Sequence, residues 1–168
     1  MSFDYLDQDD LSEDLLAIVG AVPKRWGRMD SVSRLAVIEV GRVLHASGLL
    51  DGKDRRGEYS FGLIAGTRRG SLATDLAFAE TLSHGLETAS PILFSYTLAN
   101  TALAEAASHY GITGPVYSIY SENPFEDAVS EAQRWLSEGF FQIMVAGALD
   151  YFRSGDEEIK EARFRIIR

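Results

Sequence analysis

The sequence predicts an α/β fold, a mainly parallel sheet flanked by helices, and three observations carry that reading. Phe61 to Ala65 and Phe141 to Val145 are short apolar runs bounded by polar residues, the pattern of strands buried on both faces. The turn Gly66 to Gly70 leads from the first run straight into a helical pattern, and strand, glycine turn, helix is the grammar of an α/β unit. Helix and strand signals then alternate to the end of the chain. With 168 residues, of which 46% are hydrophobic and 24% charged, one domain with a substantial core is expected.

Residues 1–29 read as an acidic lead-in and connecting segment, mobile up to Asp9, and the domain proper as residues 30–168. Between Ser31 and Ala46 the residues Val32, Leu35, Ala36, Ile38, Val40, Val43 and Leu44 recur with a helical period on one broad face. Asp30 or Ser31 supplies the N-cap, and Gly48 closes the helix. Charge and two glycines make 51–58 a surface loop. A helix follows the glycine turn from about Ser71 to Leu82, then Ser90-Pro91 as an extended connection, then an alanine-rich helix from about Leu98 to Tyr110 that Gly111 stops. Val116 to Tyr120 is strand-like. Pro124 suits the first turn of a helix running to Leu136 or Glu138, with Gly139 as its cap. The strand from Phe141 ends at Ala146-Gly147-Ala148. From Ala162 to Ile167, Phe164 and Ile166 alternate with Arg163, Arg165 and Ile167, as in an edge strand with one wet face. No internal repeat or low-complexity segment is present.

Composition excludes several function classes. There is no cysteine, hence no disulfide, thiolate metal ligand or thiol nucleophile, which fits a reducing compartment. A net charge of −9 repels nucleic-acid phosphates, so nucleic-acid binding is not expected. The uncharged stretch 89–103 is too short and too polar to span a membrane. Met1 to Glu13 carries acidic and no basic residues, the opposite of a signal or transit peptide, and a cytoplasmic protein is expected. His45, His84 and His109 each fall near a predicted helix end without metal-ligand spacing, so neither metal nor cofactor is expected. Local positive charge is confined to Lys24, Arg25 and Arg28; Lys53, Arg55 and Arg56; Arg68 and Arg69; and Arg163, Arg165 and Arg168.

Three stretches, in this order, resemble the N-terminal half of the β-ketoacyl synthase family, whose fold is thiolase-like. Phe61-Gly62-Leu63-Ile64-Ala65-Gly66-Thr67-Arg68-Arg69-Gly70 is similar to the family's apolar strand running into a Gly-Thr turn. Ser90-Pro91 through Leu98-Ala99-Asn100-Thr101-Ala102 to Tyr110-Gly111-Ile112-Thr113-Gly114-Pro115 resembles its Ser-Pro, Pro-Asn-helix, Gly-x-x-Gly-Pro sequence. Phe141 to Ala148 looks like the strand that ends in Ala-Gly-Gly. The resemblance covers roughly residues 30 to 150. The family's first strand is not evident before residue 30, and its C-terminal half, source of the condensing histidines, has no counterpart.

The departure from the family lies after Gly114-Pro115. There the family carries its nucleophilic cysteine in a sharp turn at the start of a helix, whose N-terminus stabilises the thiolate. Here the chain reads Ser121-Glu122-Asn123-Pro124, and the corresponding place falls at Glu122 or Asn123. The resemblance thus implies a synthase-like subunit without the condensing nucleophile, similar in that respect to chain-length factors. It would act as a structural, chain-length or acyl-binding partner in fatty-acid or polyketide-type biosynthesis, as a homodimer or as a heterodimer with an active ketoacyl synthase. Acyl carrier protein and acyl-coenzyme A are further candidate partners. A plainer account of Asn123 is that it caps the helix starting at Pro124. Gly66, Thr67, Arg68, Arg69 and Gly70 either hold a phosphate of coenzyme A or phosphopantetheine on backbone N–H groups or form an ordinary turn. The rival readings are an acyltransferase or thioesterase using Ser121 or a carboxylate, and a regulatory small-ligand module.

Overall fold

The computed structural model describes residues 6, 10–50, 61–154 and 157–168. Of residues 1–9, expected to be mobile, all but Leu6 lie outside the described residues, as does the loop at 51–58. Four strands, β1 (Phe61–Thr67), β2 (Val116–Tyr120), β3 (Ile143–Ser154) and β4 (Glu157–Ile167), form one mixed sheet in the order β2-β1-β3-β4. β1 pairs in parallel with β2, Ala65 opposite Ser118, and with β3, Leu63 opposite Val145. β3 and β4 are antiparallel from Met144 opposite Ile167 to Ser154 opposite Glu157. The helices are α1 (Glu13–Val19), α2 (Ser31–Ala46), α3 (Leu72–Thr81), α4 (Pro91–Ser95), α5 (Ala99–Tyr110) and α6 (Pro124–Ser137).

Alternation along the central strands builds a core on each face of the sheet. Leu63, Ala65, Val145 and Leu149 join the larger core with Leu35, Val40 and Leu44 of α2 and Leu103 and Ala106 of α5. Ile64, Met144, Ala146 and Ala148 face the other way onto Phe125, Ala128, Val129 and Ala132 of α6. Each large side chain buried in this way stabilises the fold by about 1.5–3 kcal/mol. α2 is buried nearly all round, and Asp30 rather than Ser31 caps it, accepting from the Ser33 N–H at 2.9 Å.

The segment before residue 30 contributes to the same core. Ser12 caps α1, and Leu11, Leu15, Val19, Trp26 and Met29 are all buried with α2. His109 lies within hydrogen-bond distance of the Val19 carbonyl, 2.9 Å away, and so ties the end of α1 to α5.

Several boundaries differ from expectation, each for a local reason. Ser90-Pro91 does not form an extended connection; Pro91 is the first residue of α4, and the Ser90 hydroxyl caps it by accepting from the Leu93 N–H. The strand expected to start at Phe141 starts at Ile143, because Phe140 and Phe141 pack their rings on Trp135 at the end of α6. It does not stop at Ala146-Gly147-Ala148 either. β4 continues its ladder to Ser154, and Gly147 permits this: a Cβ there would lie 2.0 Å from the Arg163 carbonyl oxygen. β4 begins at Glu157, ahead of the expected Ala162. Its outer face is only partly wet, since Ile167 is buried in the α6 core and Arg163 stacks on Phe125 at 3.9 Å.

Candidate functional site

The chain order of the strands singles out one end of the sheet. From β1 the chain crosses through α5 to β2 on one side, then returns through α6 past β1 to β3 on the other. Crossovers of fixed hand that reverse direction put their helices on opposite faces, which opens a crevice beyond the carboxyl ends of β1 and β2. Both stretches singled out in the sequence, Gly66 to Gly70 and Ser121 to Asn123, meet at that crevice. The Ser121 N–H donates to the Thr67 carbonyl at 3.0 Å, and the Arg68 guanidinium donates to the Glu122 carbonyl at 2.5 Å.

The glycine turn closes on an anion that belongs to the protein. Asp150 is 1% exposed, and its carboxylate accepts from the Thr67 hydroxyl at 2.6 Å and from the Arg68 and Arg69 N–H groups at 2.9 Å each. The Gly70 N–H donates to the Thr67 hydroxyl oxygen at 2.7 Å. The N–H groups of Arg68, Arg69 and Gly70 are therefore engaged within the turn, by Asp150 and by Thr67. Gly66 serves packing: a Cβ there would fall 1.9 Å from the Pro124 carbonyl oxygen, so only glycine lets the start of α6 sit on β1. Sequence reasoning missed Asp150. Ending β3 at Ala148 left it as a loop acid, whereas a lone carboxylate closing the run Ile143 to Leu149 was the available signal.

The turn between β2 and α6 is held by Ser121. Asn123 occupies the N-cap position, but its side chain makes no cap hydrogen bond. The Ser121 hydroxyl accepts from the Asn123 N–H at 2.8 Å, a turn bond two residues on, and donates to the Asp127 carboxylate. Asp127 and Glu126 in the first turn complement the positive end of the helix. Glu122 and Asn123 are exposed. Arg68 lies 3.8 Å from Glu161 on β4, and the Arg163 and Arg165 guanidinium groups stand over the Phe125 ring. This end of the sheet thus carries Arg68, Arg163 and Arg165 interspersed with Glu122, Glu126, Asp127 and Glu161 around the start of α6.

Other titratable groups lie elsewhere. Asp30 is buried beside Thr74, whose hydroxyl donates to it at 2.5 Å, and burial pushes its carboxyl above the ordinary range. His45 and His84 are exposed and distant in sequence from the turn, and among the described residues no group of three or more His, Asp or Glu is placed to hold a metal. No helix among the described residues is long and apolar enough to cross a membrane.

Comparison with known proteins agrees with this architecture. No curated protein matches the chain. Among solved structures, the ishigamide ketosynthase/chain length factor superposes with a TM-score of 0.64 at 17% identity, covering 73% of this chain and 31% of that one. A β-ketoacyl synthase from Burkholderia phymatum STM815 gives 0.60 at 19% identity, covering 73% of this chain and 30% of that one. The chain therefore spans about a third of the length of these relatives. The family described as β-ketoacyl synthase, N-terminal domain, matches residues 9–154. That span takes in α1, the three parallel strands, the Asp150-closed turn and the start of α6, and the chain belongs to the β-ketoacyl synthase family through its thiolase-like N-terminal domain.

Proposed function

We propose that this chain is a non-catalytic β-ketoacyl-synthase-like subunit that works beside an active ketosynthase in polyketide or fatty-acid biosynthesis, as a structural, chain-length or acyl-binding partner. The observation that carries the proposal is the β2–α6 turn. At the place where the family resemblance puts a cysteine stand Glu122 and Asn123, exposed, with the Ser121 hydroxyl held between the Asn123 N–H and the Asp127 carboxylate. A thiolate is not available there, and the hydroxyl nearest to it already accepts one hydrogen bond and donates another.

A second feature supports a partner. β2 is the last strand of the sheet on its side among the described residues, and Leu98, Phe94 and Tyr120 nearby are 70%, 63% and 64% exposed. An edge strand beside large exposed apolar groups is a surface that association would cover. One solved relative is named as a ketosynthase together with a chain length factor, in line with pairing to a synthase.

Co-expression with a ketosynthase encoded beside this chain, followed by size-exclusion chromatography, tests the proposal. A stable complex is expected. A chain that elutes alone as a monomer at micromolar concentration with every such ketosynthase removes the main support. The competing reading, an acyltransferase using Ser121, rests on the Ser121–Asp127 hydrogen bond. It requires Asp127 to act as a base, and among the described residues no third group holds its carboxylate in place.

A further inference from the structure

The sheet has a second edge, at β4, the outermost strand on its side among the described residues. Its ladder to β3 runs through all eleven residues without a bulge, from Ile167 opposite Met144 to Glu157 opposite Ser154. A strand of that length and regularity turns backbone N–H and C=O groups of alternate residues outward, away from β3. Its charges are ordered along the chain. Within a protein of net charge −9, Glu157–Ile167 is locally neutral: three acids, Glu157, Glu158 and Glu161, all precede Ala162, and of the three bases Lys160, Arg163 and Arg165 the two arginines follow it. Glu161, Arg163 and Arg165 share the face of the sheet on which Ile167 meets α6. The Glu161 side chain is 41% exposed, and Arg163 and Arg165 are exposed with their guanidinium groups over the Phe125 ring at 3.9 and 5.7 Å.

Charges on an edge strand usually oppose pairing with another chain. The order found here opposes every two-fold self-pairing near the middle of β4 except one. A two-fold axis normal to the sheet keeps each side chain on its own face, so it has to pass through a residue that pairs with its own copy. With the axis at Ala162, all of Glu157–Ile167 is paired, and Glu161 stands directly opposite Arg163 of the second copy on both sides of the axis. An axis at Lys160, Glu161 or Arg163 sets that residue against itself, and one at Phe164 sets Arg163 against Arg165; each brings like charges together. We propose that the outer edge of β4 pairs antiparallel with β4 of a second copy of this chain about a two-fold axis at Ala162, joining the two sheets into one. The local neutrality of β4 keeps the acidity of the two chains out of the seam. The β2 edge lies at the far end of each sheet, so this pairing neither uses nor requires the surface assigned above to a ketosynthase.

Sedimentation of wild type, Glu161→Arg, Arg163→Glu and the double exchange across micromolar concentrations tests this. Wild type is expected to dimerise. Each single reversal sets like charges opposite each other at two symmetry-related pairs and is expected to weaken the dimer about tenfold or more, and the double exchange is expected to restore it. A second measurement leaves both charged residues in place and holds even where a reversal folds poorly. The chain has no cysteine, so Ala162→Cys carries a single thiol. Directly opposed residues of antiparallel strands have Cα atoms about 4.5–5.5 Å apart, within the reach of a disulfide, and mild oxidation is expected to link two copies through position 162. A wild type that stays monomeric at high micromolar concentration, or a dimer that survives both single reversals and does not cross-link through position 162, overturns the proposal. A monomeric wild type whose capture of a ketosynthase is lost in the single reversals overturns it too and gives the edge to that partner. The subunit reading fails separately: a charge-dependent dimer that captures no ketosynthase supports the β4 pairing and removes only the subunit.

Discussion

Replacing Asp150 by alanine should destabilise the chain more than any other single truncation of a polar side chain at the candidate site. Its carboxylate is 1% exposed and accepts the Thr67 hydroxyl and the N–H groups of Arg68 and Arg69. A buried donor left unpaired costs about 1–3 kcal/mol. The Arg69 N–H has a second acceptor in the Thr67 hydroxyl oxygen at 3.2 Å, which places the sum toward the lower end, about 3–5 kcal/mol. For a domain of this size that corresponds to a fall in melting temperature of roughly 6–20 °C. Asp150→Asn, which keeps one acceptor oxygen but turns an NH2 group toward a donor, should fall between wild type and alanine. Urea denaturation provides the assay, read as a shift in midpoint at unchanged m-value, with hydrogen exchange at the Arg68 and Arg69 amides as a local check. An Asp150→Ala chain within about 1 kcal/mol of wild type, with both amides still protected, would show that the turn holds itself without its internal anion.

Three further outcomes follow from the same geometry. Gly66→Ala should cost about 3 kcal/mol or more in the same denaturation experiment, since its Cβ meets the Pro124 carbonyl rather than a flexible side chain. Ser121→Ala should cost about 1 kcal/mol, the loss of its turn hydrogen bonds, and a double-mutant cycle with Asp127→Ala should show coupling, because the two side chains form one hydrogen-bonded unit. Burial raises the Asp30 carboxyl above its ordinary range, so its ionisation opposes folding: the stabilising contribution is complete below pH 3.8 and is lost as pH rises through the folded-state value. Asp30→Asn, which retains the cap acceptor, should abolish that part of the pH dependence at little cost near neutrality, whereas Asp30→Ala should cost about 1–2 kcal/mol through the lost cap. Stability measured from pH 3 to 7 in the two variants distinguishes these outcomes.

Much of the fold was legible because local chemistry and tertiary structure agree. The apolar period of α2, the alanines of α5 closed by Gly111 in a left-handed conformation, and Pro124 at the start of α6 all act through backbone preferences that short stretches encode. What was not legible depended on partners distant in sequence. The extent of β3 is set by β4, so Ala146-Gly147-Ala148 looked like a terminus although Gly147 in fact admits the neighbouring backbone. α1 is short and surrounded by acidic residues, and its apolar positions become meaningful only against α2 and α5.

The candidate site shows the same division. Gly66–Gly70 and Ser121–Asn123 were each readable as turns at strand ends, but neither their meeting nor the roles within it was. Asn123 was the expected cap by residue type, yet with its backbone at φ −121° and ψ 66° its side chain makes no cap hydrogen bond, and the Ser121 hydroxyl accepts from its N–H instead. Asp150 reaches the glycine turn from 81 to 83 residues away, a distance over which no spacing rule operates.

The proposal that the turn which bears the nucleophile in the β-ketoacyl synthase family is here a hydrogen-bonded helix entry without one is tested most directly by intact-mass measurement after incubation with acyl-coenzyme A. The account predicts an unchanged mass for wild type and for Ser121→Ala alike. A covalent acyl adduct on wild type that disappears in Ser121→Ala would contradict it and assign the turn an acyl-transfer role.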